Sequence, residues 1–442
     1  MNCKLNISVR TLCVGAAIGL AAPAAASAAT DPMLAQQWGL GATNASEAWT
    51  QSTGTGVLVA VLDTGIQLDH PDLAGAIWTN PGEVAGNGRD DDNDGIVDDV
   101  HGANMLDSSA NVSDDNDHGT HVSGIIAARR GNGIGGSGIA PEATILPVKV
   151  LDANMAGDTL SLARGIRYAV DRGAKILSIS INTDATANDV KSAVVYAGEH
   201  GAVIVAAAGN DGRNIDVLPR YLASLSDPAI IGVGATMSNG HLWASSNTGT
   251  LSVDLAAPGA GIVSTARGSS YQSRTGTSAA APFVAGTMAL LAAARPDLSM
   301  SALRSIVLGS LDRDDLLQTL LGGGRLDAGA AMHKALAGMP WKAAAAPAPA
   351  GLPTLRLRGK SKVRAGTRMT LRWTATDAAM VTDWRVSLDR RVVATVPSDR
   401  AGVSRRSPRP GSHRWRVVGL DAAGTKVVSA TRAFKVGRRA SR

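Results

Sequence analysis

A few residues in this chain are of types, and in places, that could do acyl-transfer chemistry. Ser278 sits in Thr275-Gly276-Thr277-Ser278-Ala279-Ala280-Ala281-Pro282, directly before an apolar run from Phe283 to Ala294. Small neighbours let another backbone approach closely. A serine at a helix start also has free N–H groups and the positive end of the helix dipole around it, which suits a hydroxyl whose attack creates an oxyanion. Asp63 closes the apolar run Val57 to Leu62 and is followed by Thr64 and Gly65. His118 and His121 open the segment Asp117-His118-Gly119-Thr120-His121-Val122. Asn210 follows another apolar run, Ala202 to Ala208, and its amide is a neutral donor. Taken singly, each has an ordinary structural reading: a capping serine, a turn aspartate, a packed histidine, a turn asparagine.

A second constellation is acidic. Asp90-Asp91-Asp92-Asn93-Asp94-Gly95-Ile96-Val97-Asp98-Asp99 alternates carboxylates at 90, 92 and 94 before a glycine that permits a sharp turn. Alternating oxygen ligands suit calcium, with Asp90, Asp92 and Asp94 as ligands. The twelfth position is His101, so a further carboxylate must come from elsewhere, with Asp98 or Asp99 available. A solvated acidic loop is the alternative. The histidines lack the H-E-x-x-H pattern that would mark a zinc hydrolase.

The elements that must hold these residues follow from the hydrophobic pattern. Val57 to Leu62, Thr144 to Val150, Lys175 to Ile181, Ala202 to Ala208 and Ile230 to Ala235 are continuous apolar runs that read as buried strands. Thr159 to Arg172 and Asn188 to Glu199 alternate with them as helices, so the pattern predicts βαβ units and an α/β fold with helices on both faces of a parallel sheet. Beyond residue 352 the period changes to two. Thr354 to Arg358, Arg368 to Ala375, Trp384 to Leu388, His413 to Val418 and Thr431 to Val436 read as strands of an all-β sandwich, immunoglobulin-like or fibronectin-like.

Composition divides the chain in the same place. Residues 1–341 carry roughly 20 Lys and Arg against 32 Asp and Glu, whereas residues 342–442 carry roughly 23 against 5. We expect a signal peptide over 1–29, a catalytic domain over 30–340, an Ala/Pro linker over 341–352 and a basic β-sandwich domain over 353–442. Lys4 and Arg10 precede an apolar stretch from Leu12 to Ala22, which ends in Ala26-Ser27-Ala28, the pattern of a secretory leader. Both cysteines, Cys3 and Cys13, fall inside it, so we expect a secreted mature chain without thiols or disulfides. No later stretch reads as the ~18 apolar residues a membrane span needs. The basic C-terminal domain could meet an anionic surface; its alternative is a solvated face. The reading requires no nucleic acid, and a monomer is expected.

The order Asp63, His118, Ser278 supplies a nucleophile, a base and a carboxylate to orient the base. An α/β-hydrolase would run Ser, Asp, His around G-x-S-x-G, which is not the order here. The blocks Val61-Leu62-Asp63-Thr64-Gly65-Ile66, His70-Pro71-Asp72-Leu73, His118-Gly119-Thr120-His121-Val122-Ser123-Gly124, Ala207-Ala208-Gly209-Asn210 and Gly276-Thr277-Ser278-Ala279-Ala280-Ala281-Pro282 together resemble the subtilisin-like serine endopeptidases, including their thermitase-like branch. The resemblance spans roughly residues 31–337. It implies Ser278 as nucleophile, His118 as general base and acid, and Asp63 as its orienting partner. It implies Asn210 as oxyanion donor, and substrate laid between Leu151 to Met155 and Ser180-Ile181-Asn182. Ala207, Ala208 and Gly209 would line the first specificity pocket, and His121 would be structural. It also implies Asp72 as a calcium ligand, with the loop around Asn132 as its partner.

The chain departs from the family pattern in places. Ser180-Ile181-Asn182-Thr183 stands where the family has Ser-Leu-Gly-Gly, which puts a side chain where glycine meets substrate. Ala279 replaces a methionine, and Pro282-Phe283-Val284-Ala285-Gly286 replaces Pro-His-Val-Ala-Gly. Few residues separate the leader from Trp38, so we expect folding without an inhibitory pro-segment, aided by calcium. The expected activity is peptide-bond hydrolysis. The alternatives are a narrow-specificity maturation protease and an inactive binding module on the same fold.

Overall fold

The computed structural model describes residues 30–337, save 185–186 and 321, and residues 354–437, save 360–361, 377–380, 390, 399 and 421–425. The expected leader (1–29) and linker (341–352) lie outside the described residues. In chain order the first strands are β1 (Leu58–Asp63), β2 (Ala103–Asn104), β3 (Thr144–Lys149), β4 (Ile176–Ile179), β5 (Val203–Ala207), β6 (Ile230–Thr236) and β7 (Leu255–Pro258). A hairpin of β8 (Ile262–Ala266) and β9 (Ser270–Arg274) stands apart, and β10 (Asp312–Arg313) and β11 (Gly324–Arg325) extend the sheet. The helices are α1 (Trp38–Ala42), α2 (Ala45–Ala48), α3 (His118–Ala127), α4 (Thr159–Asp171), α5 (Asn188–Glu199), α6 (Thr277–Ala294), α7 (Met300–Leu308) and α8 (Ala328–Ala335).

The sheet order is β10-β11-β7-β6-β5-β4-β1-β3-β2, parallel throughout except for β10 on β11. Alternate residues feed two cores. Val59, Val61, Val203 and Val205 face the cluster shared with α3 and α6, while Ala60, Leu62, Leu177 and Ile204 face the one shared with α4 and α5. Burial on both faces is why these strands read as unbroken apolar runs. The chain leaves β1 toward β3 on one side and returns to β4 on the other. That makes the C-terminal end of β1 the topological switch point, the usual crevice of an open α/β sheet.

Helix α6 runs through the middle of the first core. It is apolar all round, and its 18 residues are long and apolar enough to cross a membrane. This corrects the expectation that no such stretch follows the leader. The helix is 83% buried inside the fold, as a core helix must be. Its interior Pro282 has no N–H to give to the Ser278 carbonyl one turn back. The Ser180 hydroxyl donates to that carbonyl instead, at 2.9 Å.

The C-terminal part is a sandwich of two sheets. One has the order β12 (Thr354–Arg358), β14 (Arg368–Thr376), β17 (Gly402–Arg406). The other is β13 (Lys362–Arg364), β19 (Lys426–Gly437), β18 (Gly411–Leu420), β15 (Asp383–Leu388), β16 (Arg391–Pro397). Trp373, Trp384, Trp415 and Phe434 fill the core between them. The outer face of the five-stranded sheet meets the α/β part. Arg416 pairs with Asp312, which Arg325 also holds at 2.8 Å, and the Ser429 hydroxyl donates to Asn44 Oδ1 at 3.1 Å.

Candidate active site

Asp63 ends β1 at the switch point and is almost wholly buried. Its Oδ1 lies 2.7 Å from His118 Nδ1 and also accepts the Thr64 N–H at 2.8 Å. A carboxylate on Nδ1 fixes the proton there and leaves Nε2 as the basic nitrogen. His118 is the first residue of α3, and Asp114, which the sequence reading missed, ties down that helix start. Its carboxylate accepts the N–H groups of Asn116, Asp117 and Thr120, at 3.0, 3.1 and 2.9 Å, and the hydroxyls of Thr64 and Thr120 at 2.8 and 2.6 Å. Burial alone would raise the Asp114 pKa, but these donors hold it below the ordinary range. The only hint in the sequence was an aspartate a few residues ahead of a helix start.

His121 is buried and separate. Its Nε2 faces the carbonyls of Ile262 at 3.0 Å and Gln272 at 3.2 Å, so that nitrogen carries the proton and pins the β8–β9 hairpin to α3. Burial, the largest cause, lowers its pKa to about 4.

Ser278 is the second residue of α6, half-buried, and helices α3 and α6 pack against each other. Asn210 lies just past β5. Its Oδ1 accepts from both the N–H and the hydroxyl of Thr277, each at 2.9 Å. The Gly209 N–H in turn donates to the Thr277 hydroxyl at 3.0 Å. These contacts fix the amide orientation and leave Nδ2 to donate elsewhere. A methyl group placed on Gly276 would lie 3.1 Å from Asn210 Nδ2 and 3.2 Å from Ser278 Oγ. Both atoms therefore face one small space that only the missing side chain keeps open.

The expected substrate-side residues lie around these groups. Leu151 is buried and its N–H reaches the Asp63 carbonyl at 3.2 Å, while Met155 is exposed on the following turn. Ser180, Ile181 and Asn182 follow β4, and beyond them Thr183 bridges to Tyr221. Ala207 ends β5, with Ala208 and Gly209 next. A Gly209 side chain would begin 2.5 Å from Asn247 Nδ2 and 3.2 Å from Asn182 Nδ2, so two amides crowd that position.

The acidic loop wraps on itself. The Asp94, Gly95 and Ile96 N–H groups donate to Asp90, Asp92 and Asp94 carboxylates at 2.8–3.2 Å. Carboxylate oxygens converge in two groups, Glu83–Asp90–Asp92 and Asp92–Asp94–Asp99. Arg172 already serves the second, pairing with Asp92 and with Asp94 at 3.2 Å. Glu83 Oε2 is buried with no hydrogen-bond donor among the described residues, and an all-oxygen donor set with an orphaned carboxylate oxygen fits a hard cation. Asp98 instead accepts the Asn87 and Gly88 N–H groups, at 3.1 and 3.0 Å. Asp72 is fully buried and takes the Asn132 amide at 2.8 Å, with Asp31 nearby binding the Gly131 and Gly133 N–H groups. Burial pushes the Asp72 carboxyl up to about 6 and raises Asp31 as well. Two buried carboxylates held in this way also fit a cation.

A doubly covered parallel sheet with a carboxylate–imidazole pair at its switch point, and a serine and an amide sharing one space at a buried helix start, is the architecture of an α/β serine hydrolase. The profile of the Subtilase family matches residues 54–327, and the chain belongs to that family, as a subtilisin-like serine protease. It is 36% identical over 293 residues to thermitase of Thermoactinomyces vulgaris, covering 66% of this chain and 94% of that protein. It is 38% identical over 257 residues to the thermophilic serine proteinase of Bacillus sp. strain AK1, covering 58% of this chain and 57% of that one. A solved protease structure from Pseudoalteromonas arctica PAMC 21717 superposes with a TM-score of 0.59 at 29% identity, over 70% of this chain and all of that one. As a protease, the chain acts on protein or peptide substrates.

Proposed function

We propose that the protein is a secreted endopeptidase that cleaves peptide bonds through an acyl-enzyme on Ser278. Asp63 holds the His118 Nδ1 proton, so Nε2 is free to take the Ser278 hydroxyl proton as its oxygen attacks the scissile carbonyl. The new oxyanion settles between Asn210 Nδ2 and the Ser278 N–H, one of the first four helix N–H groups without an intrahelical partner. His118 then passes its proton to the leaving amine, and a water repeats the sequence to free the acyl group. The substrate backbone lies extended beside Ser180 to Asn182, where neither Ile181 nor Asn182 makes a backbone hydrogen bond among the described residues. Opposite it runs Leu151 to Met155. The observation that carries this reading is the 2.7 Å contact between Asp63 and His118 at the mouth of the sheet.

Calcium would be held by Glu83, Asp90 and Asp92, with Asp94 and Asp99 alongside, and by Asp72 with Asp31. It would neutralise buried carboxylates and brace these loops, taking no part in the chemistry. The catalytic domain runs over residues 30–340 and the basic sandwich over 353–442. Asn182 beside Gly209 favours a narrow substrate range, as in a maturation protease, over broad digestion.

The test is a peptide-library digest with the mature protein beside Ser278→Ala, with and without a calcium chelator. Cleavage abolished in Ser278→Ala supports the mechanism, and the cut sites report the pocket near Asn182. Folded wild type that cuts no peptide and no protein would sink it in favour of an inactive binding module.

A further inference from the structure

The sandwich is two-faced. The five-stranded sheet turns Arg385, Ser387, Arg416 and Val418 toward Trp38, Asp314 and Arg325 of the α/β part. The opposite, outer face belongs to the three-stranded sheet. Met369, Leu371 and Trp373 of β14 point into the core, so Arg368, Thr370 and Arg372 point out, and all three are exposed. Register places Arg358 of β12 opposite Arg372, and Arg406 of β17 opposite Arg368. Arg356 stands two residues from Arg358 on the same side. The Thr370 and Ser404 hydroxyls meet across the strands at 2.7 Å, between the two arginine pairs.

Five exposed arginines thus share one face, and the three strands contain no aspartate or glutamate. Among the described residues none of the five side chains has a hydrogen bond or an ion pair. Like charges directly opposite one another on a sheet are destabilising. With strands ~4.8 Å apart and same-face residues about 6.8 Å apart, the array covers roughly 10 by 20 Å. It is a two-dimensional array of guanidinium groups, which bind phosphate strongly, with hydroxyls between them.

We propose that this face docks the protein on an anionic phospholipid surface. A lipid surface presents phosphates in two dimensions, as the array does. A single nucleic-acid strand presents them in a line and is usually gripped by stacking aromatics, and this face exposes none. The α/β part, with its excess of acidic residues, lies against the opposite sheet and so would stand away from the charged lipid.

The experiment uses the full chain as Ser278→Ala, to stop self-digestion, sedimented with vesicles of phosphatidylglycerol and phosphatidylcholine, 1:1, or of phosphatidylcholine alone. Binding is expected only to the mixed vesicles, and moderate salt should release it. At about 1 kcal/mol per arginine near a charged surface, each arginine contributes roughly fivefold. Arg358→Gln with Arg372→Gln should therefore weaken partitioning roughly 25-fold, and Arg368→Gln with Arg406→Gln should do the same. Lys175→Gln with Lys191→Gln, which removes the same charge from the α/β part, should leave it unchanged. No binding to mixed vesicles overturns the proposal. So does equal weakening by the lysine pair, or arginine pairs that lose affinity for a single-stranded oligonucleotide but not for vesicles.

Discussion

Gly276→Ala tests the geometry of the proposed oxyanion pocket with the smallest change available. Gly276 has φ 163 and ψ 165, an extended backbone that alanine adopts without strain. The added methyl would sit 3.1 Å from Asn210 Nδ2 and 3.2 Å from Ser278 Oγ, contacts that shifts of a few tenths of an ångström relieve. The fold should tolerate it. Catalysis should not, because that methyl occupies a point at hydrogen-bond distance from the donor and at contact distance from the nucleophile. The carbonyl oxygen, which takes up the C=O π electrons as the tetrahedral state forms, needs this space. Blocking it should cost as much as losing the Asn210 donor, about 10²–10³-fold in kcat, or about 3–4 kcal/mol, a magnitude known from a subtilisin itself. The assay is kcat and KM on a peptide anilide, with Tm measured on the same samples. Asn210→Ala should show a similar loss, and the double variant should lose little more, because both changes spoil one interaction. Gly276→Ala with kcat within tenfold of wild type would refute the pocket assignment. A collapse in Tm would refute the claim that the space is open.

Three further outcomes follow from the same structure. Asn182→Gly removes one of the two amides beside Gly209, so kcat/KM should rise for bulky P1 residues relative to alanine by about 10-fold or more, as pocket contacts of this size allow; an unchanged ratio across P1 anilides removes Asn182 from specificity. His121 has its pKa lowered to about 4 by burial against 6.5 when unfolded, so the unfolded chain binds more protons between those values. The stability due to neutral His121 is complete above pH 6.5 and is lost as pH falls through 4, a swing of about 3 kcal/mol that His121→Gln should remove from the pH dependence of denaturant unfolding. Asp72 and Asp99 are shifted the other way, each up to about 6 and mainly by burial, so their ionised forms oppose folding above that value unless a cation is bound. Withholding calcium should therefore lower Tm more at pH 8 than at pH 5.5, and equal drops at both would argue against cation sites at these carboxylates.

The catalytic strands were legible because burial on both faces leaves unbroken apolar runs, and observed β1, β3, β5 and β6 lie within a residue of the runs read for them. Helix α5 matches its reading end to end. Other elements carried no such mark. The hairpin Ile262–Ala266 and Ser270–Arg274 is held by His121 and by hydroxyls of Ser264 and Thr265 that donate to α3 carbonyls, so its sequence is mixed rather than periodic. In the sandwich, β13, β16 and β17 were missed. They are edge or near-edge strands with exposed polar residues, and their existence depends on the partners β19, β15 and β14 more than on their own pattern.

The proposed site divides in the same way between groups assigned to act and groups that hold them. Asp63, His118, Asn210 and Ser278 stood out because their chemistry requires particular side chains at strand ends and helix starts. Asp114 and Thr277 did not, since many residue types can cap a helix, and only the folded chain shows which functional group each one aims. Ser180 spans both sets. Placed by resemblance along the substrate, its hydroxyl donates to the Ser278 carbonyl that Pro282 leaves without a helix partner. The proline removes one helix hydrogen bond beside the proposed nucleophile, and a residue just past β4 supplies another. The position of the proposed nucleophile is thereby tied to the segment along which the proposed substrate lies, so Ser180→Ala should disturb catalysis through α6 as well as through binding. A fall in kcat with KM little changed is the expected result, and a change confined to KM would limit Ser180 to the substrate side.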